Sequence, residues 1–269
     1  MNVFFLEFRN NRKNTLIWML SIGFAIFAML AFFPSMQTEG MQSLANTKLE
    51  GVDPALLAAF GLDIMPDFTV ITDFFGYILQ FIVLAIMVYV TQGAASLLIK
   101  EETDGTIEYL YGKPVSRNEI FFQKLLAIVL LFLIMLTIFA SITILGYLIF
   151  SDYIFYDAFK ESMIFYSAIL FVGLVFVSIG TLLSTLIRSE KTASGVTISI
   201  VFGTFVLGML SSMVEKLDFL IYFSPMSWIK TQKLMSDGIT LYEWIIGIVL
   251  IVSSIWIACL KYRRKDLLI

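Results

Sequence analysis

The sequence predicts an all-α membrane protein, and three observations support this prediction. First, 59% of the 269 residues are hydrophobic and only 14% are charged, whereas a typical soluble domain is about half apolar and a quarter charged. Second, the apolar residues fall into six blocks, each long enough to cross a hydrocarbon core about 30 Å thick as a helix. Third, the segments between the blocks alternate between many and few Lys and Arg residues, as in loops on opposite sides of a membrane.

The six predicted transmembrane helices take up most of the chain. They are Thr15–Phe33, Phe74–Ile99, Leu125–Phe150, Met163–Ile187, Thr192–Met213 and Leu241–Leu260. The first block is a retained span, because its 19 residues exceed the roughly 7–15 of a signal-peptide core and no A-x-A cleavage pattern follows. No internal repeat or soluble domain interrupts the pattern, so residues 1–269 are predicted to form a single transmembrane domain.

The segment before the first span, Met1–Asn14, mixes apolar and basic side chains. Val3 and Phe4 stand close to Arg9 and Arg12. Such a segment lies in the membrane interface, with its apolar side toward the acyl chains and its bases near anionic lipid headgroups. We therefore expect an N-terminal interfacial elbow helix in contact with membrane lipid. The alternative is a charged flank that only fixes the topology.

The distribution of Lys and Arg predicts the orientation of the chain. Thirteen of the 18 basic residues lie near the termini or in the loops on the same side as the termini, and five lie in the other loops. Because basic residues accumulate on the cytoplasmic side, both termini are predicted to be cytoplasmic in a multi-pass protein of the cell membrane. Segment Ser35–Asp73 then becomes an outer loop with short helices, and Val214–Thr240 also faces out.

The cytoplasmic loop Lys100–Lys124 is the most informative segment. Its apolar residues recur at helical spacing, at Ile107, Leu110 and Tyr111. Pro114 stops this helix, and Ser116 with Glu119 forms a capping box for the next one. A short helix across the membrane face, with an apolar stripe and several carboxylates, can dock in a groove of a soluble partner and transmit motion. The alternative is a solvated connecting helix.

The same loop contains a recognisable string of residues. It reads Glu101-Glu102-x-x-Gly105-Thr106-Ile107-Glu108-x-Leu110, followed by Pro114-Val115-Ser116-Arg117-x-x-Ile120 and Lys124. This string resembles the coupling-helix region of ABC-2 type permeases, which are the membrane subunits of one class of ATP-binding cassette exporters. In addition, Leu220-Ile221-Tyr222-Phe223-Ser224-Pro225-Met226 is similar to the Ser-Pro turn between the last two spans of that family.

The resemblance implies a six-helix half-transporter. It would pair with a second permease subunit, identical or related, and with soluble ATP-binding cassette ATPase subunits. The residues implied to couple this chain to the ATPase are Glu101, Glu102, Gly105, Thr106, Ile107, Glu108, Leu110, Pro114 and Arg117. The resemblance also implies that Met213–Gly238 forms short re-entrant outer helices around a turn at Ser224 and Pro225, whereas the alternative is a plain surface loop.

The sequence predicts no nucleotide site in this chain. A phosphate-binding loop reads G-x-x-x-x-G-K-[ST], whereas Gly112-Lys113 is followed by Pro114. The chain has no His and a single Cys, Cys259, which excludes His-based catalysis, an intrachain disulfide and the usual zinc sites. We therefore expect no enzyme activity, metal or cofactor in this chain, with ATP and Mg²⁺ bound by the partner ATPase. Nothing in the sequence predicts a nucleic acid partner.

Two predicted spans carry small residues four positions apart. The fourth span contains Gly180 and Ser184, and the fifth contains Gly195, Ser199 and Gly203. Small residues at this spacing let two helix backbones approach closely. They indicate either packing within this subunit or a seam between two subunits.

Polar groups are rare inside the predicted spans. Gln80 and Gln92 either line a path or bond to neighbouring helices. No acidic residue lies near the middle of a span, which argues against a proton-driven carrier. Because a path with few charges suits an amphipathic cargo, the expected function is export of such a substrate through half of a translocation path, driven by a separate ATPase. A secondary carrier or channel and a non-transporting membrane anchor or immunity protein are the alternatives.

Overall fold

The structure is a computed structural model that describes residues 3–38, 40, 52–62, 66–100 and 116–264, and each regular element among them is helical. The α-helices are α1 (Val3–Met36), α2 (Pro54–Ala59), α3 (Ile71–Ser96), α4 (Arg117–Phe150), α5 (Phe155–Leu186), α6 (Glu190–Met213), α7 (Thr231–Ser236) and α8 (Leu241–Arg264). Two 3₁₀ helices, Glu215–Phe223 and Pro225–Ile229, connect α6 to α7.

Six helices in the described part of the chain, α1, α3, α4, α5, α6 and α8, are long and apolar enough to cross a membrane. This confirms the all-α fold class and the predicted number of spans. Several helices extend beyond the apolar blocks. The 34 residues of α4 make a helix about 51 Å long at about 1.5 Å per residue, which exceeds a hydrocarbon core of about 30 Å.

The start of α4 is set by a local signal that the sequence contains. Ser116 Oγ accepts a hydrogen bond from the Glu119 N–H at 3.3 Å, and Glu119 Oε2 accepts one from the Ser116 N–H at 2.9 Å. These two bonds satisfy backbone donors that have no partner within the helix. The predicted capping box is therefore confirmed.

The N-terminal segment does not form a separate elbow helix. It makes up the first turns of α1, which runs without interruption from Val3 to Met36. The sequence between Val3 and Ile22 contains neither Gly nor Pro, so nothing breaks the helix between the interfacial segment and the span. The prediction of a distinct elbow is corrected to one continuous helix.

Helix α5 lies at the centre of the bundle. It packs against α3, α4 and α8, and 67% of its most apolar stretch is buried, against 22% for α6 and for α8. Helix α1 packs chiefly on α4, and α6 packs on α3 and on the first 3₁₀ helix. Helix α6 therefore belongs to the edge of the bundle.

The two ends of the bundle are distinguished by which helix termini meet there. At one end the Phe4 N–H donates to Gln123 Oε1 at 3.2 Å, and Arg117 Nη1 donates to the Arg263 carbonyl at 3.2 Å. The first turns of α1 and α4 and the last turn of α8 thus lie together. We call this the inner end, after the charge-based prediction, and the opposite one the outer end.

Candidate functional site

The predicted coupling residues lie mostly in a part of the chain that the structure leaves undescribed. Glu101, Glu102, Gly105, Thr106, Ile107, Glu108, Leu110 and Pro114 lie outside the described residues. Arg117 is described and is the first residue of α4. Its bond to the Arg263 carbonyl joins the start of α4 to the end of α8.

The chain on both sides of residues 101–115 is tied together by one buried side chain. Lys124 Nζ donates to the Leu97 carbonyl at 2.7 Å and lies 3.5 Å from Glu7 Oε2. Leu97 directly follows the last residue of α3, whereas Lys124 lies two turns into α4. The side chains of Lys124 and Glu7 are only 1% and 5% exposed. We call Glu7, Lys124 and the Leu97 carbonyl the inner clamp.

The inner clamp satisfies its buried charges with a specific set of partners. Asn11 Nδ2, one turn along α1, donates to Glu7 Oε1 at 2.6 Å. Removing two charges from water costs several kcal/mol per ion, and mutual attraction offsets this only when further hydrogen bonds complete the geometry. The carbonyl of Leu97 and the amide of Asn11 supply such bonds. The ion pair therefore forms only when α1, the end of α3 and α4 hold these relative positions.

Further contacts join α1 to α3 one and two turns beyond Asn11. The hydroxyls of Thr15 and Tyr89 share a hydrogen bond at 2.7 Å. The rings of Trp18 and Tyr89 lie with their centroids 5.5 Å apart. The first turns of α1 are therefore attached to both helices that flank residues 101–115.

A polar cavity of about 560 Å³ opens beside this junction, between α1, α3 and the start of α6. Its lining includes Asn14, Tyr89, Gln92, Ser96, Glu190 and Lys191. Gln92 Nε2 donates to Ser194 Oγ at 2.6 Å, so Gln92 joins α3 to α6 and also lines the cavity. The bond to a neighbouring helix, one of the two roles that the sequence left open for Gln92, is therefore present, and a role in lining a path stays a prediction.

A second cavity, of about 380 Å³, lies at the outer end between α3 and α7. Its lining includes Asp73, Tyr77, Gln80, Lys230 and Lys233. Gln80 Nε2 also donates to the Phe60 carbonyl at 3.3 Å, just after α2. Helices α3 and α6 also touch, with the rings of Phe81 and Phe205 6.4 Å apart. The surface shared by α3 and α6 is thus polar at the inner cavity and aromatic farther out, and the outer cavity lies beside it, between α3 and α7.

The rim of the outer cavity is ordered by short hydrogen bonds. The Asp67 N–H donates to Asp73 Oδ2 at 3.0 Å. Thr69 donates its hydroxyl and its backbone N–H to Asp67 Oδ1 at 2.6 and 2.9 Å. These two hydrogen bonds stabilise the ionised carboxylate and lower the pKa of Asp67 below its ordinary value of 3.8, with the larger effect from the Thr69 hydroxyl and the smaller from its backbone N–H.

The Ser-Pro turn is attached to α6. Ser224 Oγ donates to the Thr204 carbonyl at 2.7 Å, and Pro225 starts the second 3₁₀ helix. Gly208 allows this approach, because a Cβ there would lie 2.6 Å from Ser224 Oγ. The predicted short helices are present in this outer segment, and their depth in the membrane stays a prediction.

The two sets of small residues lie in different surroundings. Gly180 faces α3 so closely that a Cβ would lie 2.5 Å from the Thr91 carbonyl oxygen, and Ser184 is fully buried. Along α6, Gly195, Ser199 and Gly203 are exposed. A Cβ atom at Gly195 or Gly203 would have no described atom within 4 Å, apart from the adjacent residues and the backbone of α6 itself.

The inner clamp is the feature that sequence reasoning missed. The sequence pattern places Lys124 at the end of the coupling-helix-like string and Glu7 in the mixed segment Met1–Asn14, and it does not indicate that the two side chains meet. The signal was present, since a lone Lys between Phe121 and Leu125 must find an opposite charge if it is buried. Glu7 is the only acidic residue before the first span.

The comparisons with known proteins agree with this architecture. No curated protein matches the chain significantly. The family described as ABC-2 family transporter protein matches residues 1–267, which includes the segment between α3 and α4. Together with the six membrane-spanning helices, a match over nearly the whole chain leads to one conclusion: the chain belongs to the ABC-2 family of transporter proteins, as a permease subunit of an ABC transporter.

Proposed function

We propose that this permease exports an amphipathic substrate, forms half of the translocation path and is driven by a separate ATPase subunit that docks at residues 101–115. The observation that carries the proposal is the family match over residues 1–267. The sequence of the loop, which resembles a coupling helix, supports the position of the ATPase. ATP and Mg²⁺ bind to that partner, because the chain lacks a phosphate-binding loop.

The surface shared by α3 and α6 is the proposed half of the path. Its inner cavity is polar, and the contact between the rings of Phe81 and Phe205, farther toward the outer end, is apolar. An amphipathic molecule needs both kinds of surface, because its polar part seeks hydrogen bonds and its apolar part avoids them. Movement of α6 away from α3 would separate Phe81 from Phe205 and extend the inner cavity toward the outer end.

The other half of the path is proposed to come from a second copy of this chain. The exposed ridge of Gly195, Ser199 and Gly203 on α6 supports this arrangement. In lipid, helices associate through close packing of small residues because lipid chains are as apolar as the side chains they replace. A partner at this ridge would place the two α3–α6 surfaces near one another.

The proposed coupling contact predicts a specific loss of ATPase binding. Ile107 and Leu110 would supply apolar contact, while Glu101, Glu102 and Glu108 would orient the helix against basic residues of the ATPase. Loss of a buried anchor at such a contact costs about 1–4 kcal/mol. We expect Ile107→Asp and Leu110→Asp each to leave membrane insertion intact and to reduce ATPase recruitment by about tenfold or more.

The test is co-purification of the ATPase with tagged wild-type and variant chains at matched expression. Ile154→Asp is a suitable control, because Ile154 is 63% exposed in the turn between α4 and α5. It should recruit the ATPase like the wild type. Full recruitment by both loop variants would show that residues 101–115 are only a connector.

Hydrolysis of ATP by vesicles that hold this chain alone would contradict the assignment of ATPase activity to the partner.

A further inference from the structure

We propose that the inner clamp transmits the movement of the ATPase-docking segment to α1, and so to the wall of the inner cavity. Glu7 and Lys124 are then positioning residues for coupling. This inference rests on the proposed function, because it assumes that an ATPase acts on residues 101–115. It assigns a role to a buried charge pair of which the coupling-helix pattern includes Lys124 but not Glu7.

The first argument is the position of the clamp in the chain. Lys124 Nζ contacts the Leu97 carbonyl, and these two residues lie on either side of residues 101–115. One ammonium group therefore holds together the segment that leads into the docking region and the segment that leads out of it. A displacement of residues 101–115 reaches this ammonium from both flanks.

The second argument is the nature of the contact. Attraction between apolar side chains is non-directional, whereas a buried ion pair with hydrogen bonds needs a narrow range of distances and angles. Replacing a buried pair by apolar residues is often neutral for stability. The stability of the bundle therefore does not by itself account for Glu7 and Lys124, whereas a geometric link between helices does.

The third argument is the path from Glu7 to the inner cavity. Glu7 is joined to Asn11 by a side-chain hydrogen bond, and α1 continues without interruption to Asn14 and Trp18. Asn11, Asn14 and Trp18 line the inner cavity. A shift of Glu7 with Lys124 therefore moves one wall of the cavity relative to α6.

The outer end offers a matched charge pair for comparison. Lys233 of α7 forms an ion pair with Glu243 of α8, and the Lys233 side chain is 27% exposed. These two residues are near in sequence and lie far from the ends of residues 101–115. The outer pair therefore contributes to local structure without a link to the docking segment.

The test measures whether the nucleotide state of the ATPase reaches α1. Asn14→Cys, in a Cys259→Ser background, places a thiol on the exposed wall of the inner cavity. The complex with the co-purified ATPase is reconstituted in lipid vesicles, and the rate of thiol labelling is compared without nucleotide and with ATP plus vanadate. With the clamp intact, we expect the two rates to differ by about fivefold or more, the lower range of coupling between linked sites.

The decisive variant is Glu7→Gln with Lys124→Met. We expect it to fold and to recruit the ATPase like the wild type, with a melting temperature lowered only by the loss of the hydrogen bond to the Leu97 carbonyl, while the nucleotide-dependent difference in labelling is lost. The double variant Lys233→Met with Glu243→Gln should keep the difference. With a purely structural role, the folded Glu7 and Lys124 variant would keep the wild-type labelling difference, and that result would overturn the proposal.

Two further outcomes have separate meanings. If the wild-type chain recruits no ATPase, the proposed function fails, and the clamp proposal fails with it. If the double variant does not fold, Glu7→Asp keeps the charge and shortens the side chain by one methylene group. It should reduce the labelling difference while recruitment continues, and an unchanged difference in that variant would also overturn the proposal.

Discussion

Helices α5 and α6 carry the same pattern of small residues in opposite environments. Gly180 and Ser184 of α5 are packed against α3, whereas Gly195, Ser199 and Gly203 of α6 face outward from the described chain. The pattern indicates only that another helix backbone can come close to this surface, because the side chains there are small. Which surface is filled depends on where the helix lies in the bundle.

The position of each helix explains the difference. Helix α5 is the most buried of the six spanning helices, while α6 lies at the edge and is held by α3 and by the Ser-Pro turn. We interpret α5 as the helix that holds the bundle together and α6 as the helix that presents a surface. The predictions below test this division by measuring stability and association separately.

The largest expected effect on stability comes from Gly180→Ile. The new Cβ would meet the Thr91 carbonyl oxygen at 2.5 Å and the Ala95 backbone nitrogen at 3.2 Å, so α3 itself would have to move. Overpacking of this kind costs about 3 kcal/mol or more where backbone is displaced. We expect a large fall in the melting temperature of the purified chain in detergent, with little folded protein recovered. A wild-type melting temperature would show that α5 is not tightly packed.

The contrast between the two helices marks the limit of what the sequence predicts. The capping box of Ser116 and Glu119 was predictable because its partners lie within one helical turn. The six spans were predictable because length and hydropathy are properties of each block alone. The environments of Gly180 and Gly203 depend on neighbouring helices, so the pattern could not separate them.

The inner clamp escaped prediction for a related reason. Glu7 and Lys124 lie on helices that are distant in sequence, and a single sequence does not show which charges meet. A separate elbow helix is not confirmed, because the mixed composition of Met1–Asn14 indicates where a segment lies, while helix continuity depends on the absence of Gly and Pro. The interfacial position of these residues stays a prediction. The coupling contacts of residues 101–115 stay predictions from the sequence.

An intermediate effect is expected from Ser224→Ala. This change removes the 2.7 Å hydrogen bond to the Thr204 carbonyl and with it one attachment of α6 to its own chain. Loss of such a buried bond costs about 1–3 kcal/mol. The melting temperature should fall by less than in Gly180→Ile, while the exposed Ser236→Ala serves as the control without effect. Equal behaviour of the two Ser variants would mean that the turn does not hold α6.

A smaller effect is expected at the outer rim, which contacts neither row of small residues. Because hydrogen bonds from Thr69 lower the pKa of Asp67 below 3.8, the ionised form is stabilised in the folded chain. The stabilisation from ionised Asp67 is fully present at pH values above its pKa in the unfolded chain. It is lost as the pH falls through the lower pKa that Asp67 has in the folded chain. Thr69→Ala should slightly lower the melting temperature at pH 7 and converge with the wild type once the pH falls below the lowered pKa of Asp67 in the folded chain. A constant difference across this range would contradict the linkage.

The smallest effect on stability, and the sharpest test of the comparison, is expected from Gly203→Ile. Apart from the adjacent residues and the backbone of α6 itself, no described atom lies within 4 Å of a Cβ at this position, so the melting temperature of the isolated chain should match the wild type. If α6 packs on a second copy, the added side chain would instead separate the two helices.

Oxidation of a Ser199→Cys chain, in a Cys259→Ser background, should give a disulfide-linked dimer, because two ridges in contact bring Cα atoms within about 7 Å. Ser184→Cys, buried against its own bundle, should give none. Adding Gly203→Ile to Ser199→Cys should abolish the link without loss of stability, and a link that persists would place the seam elsewhere.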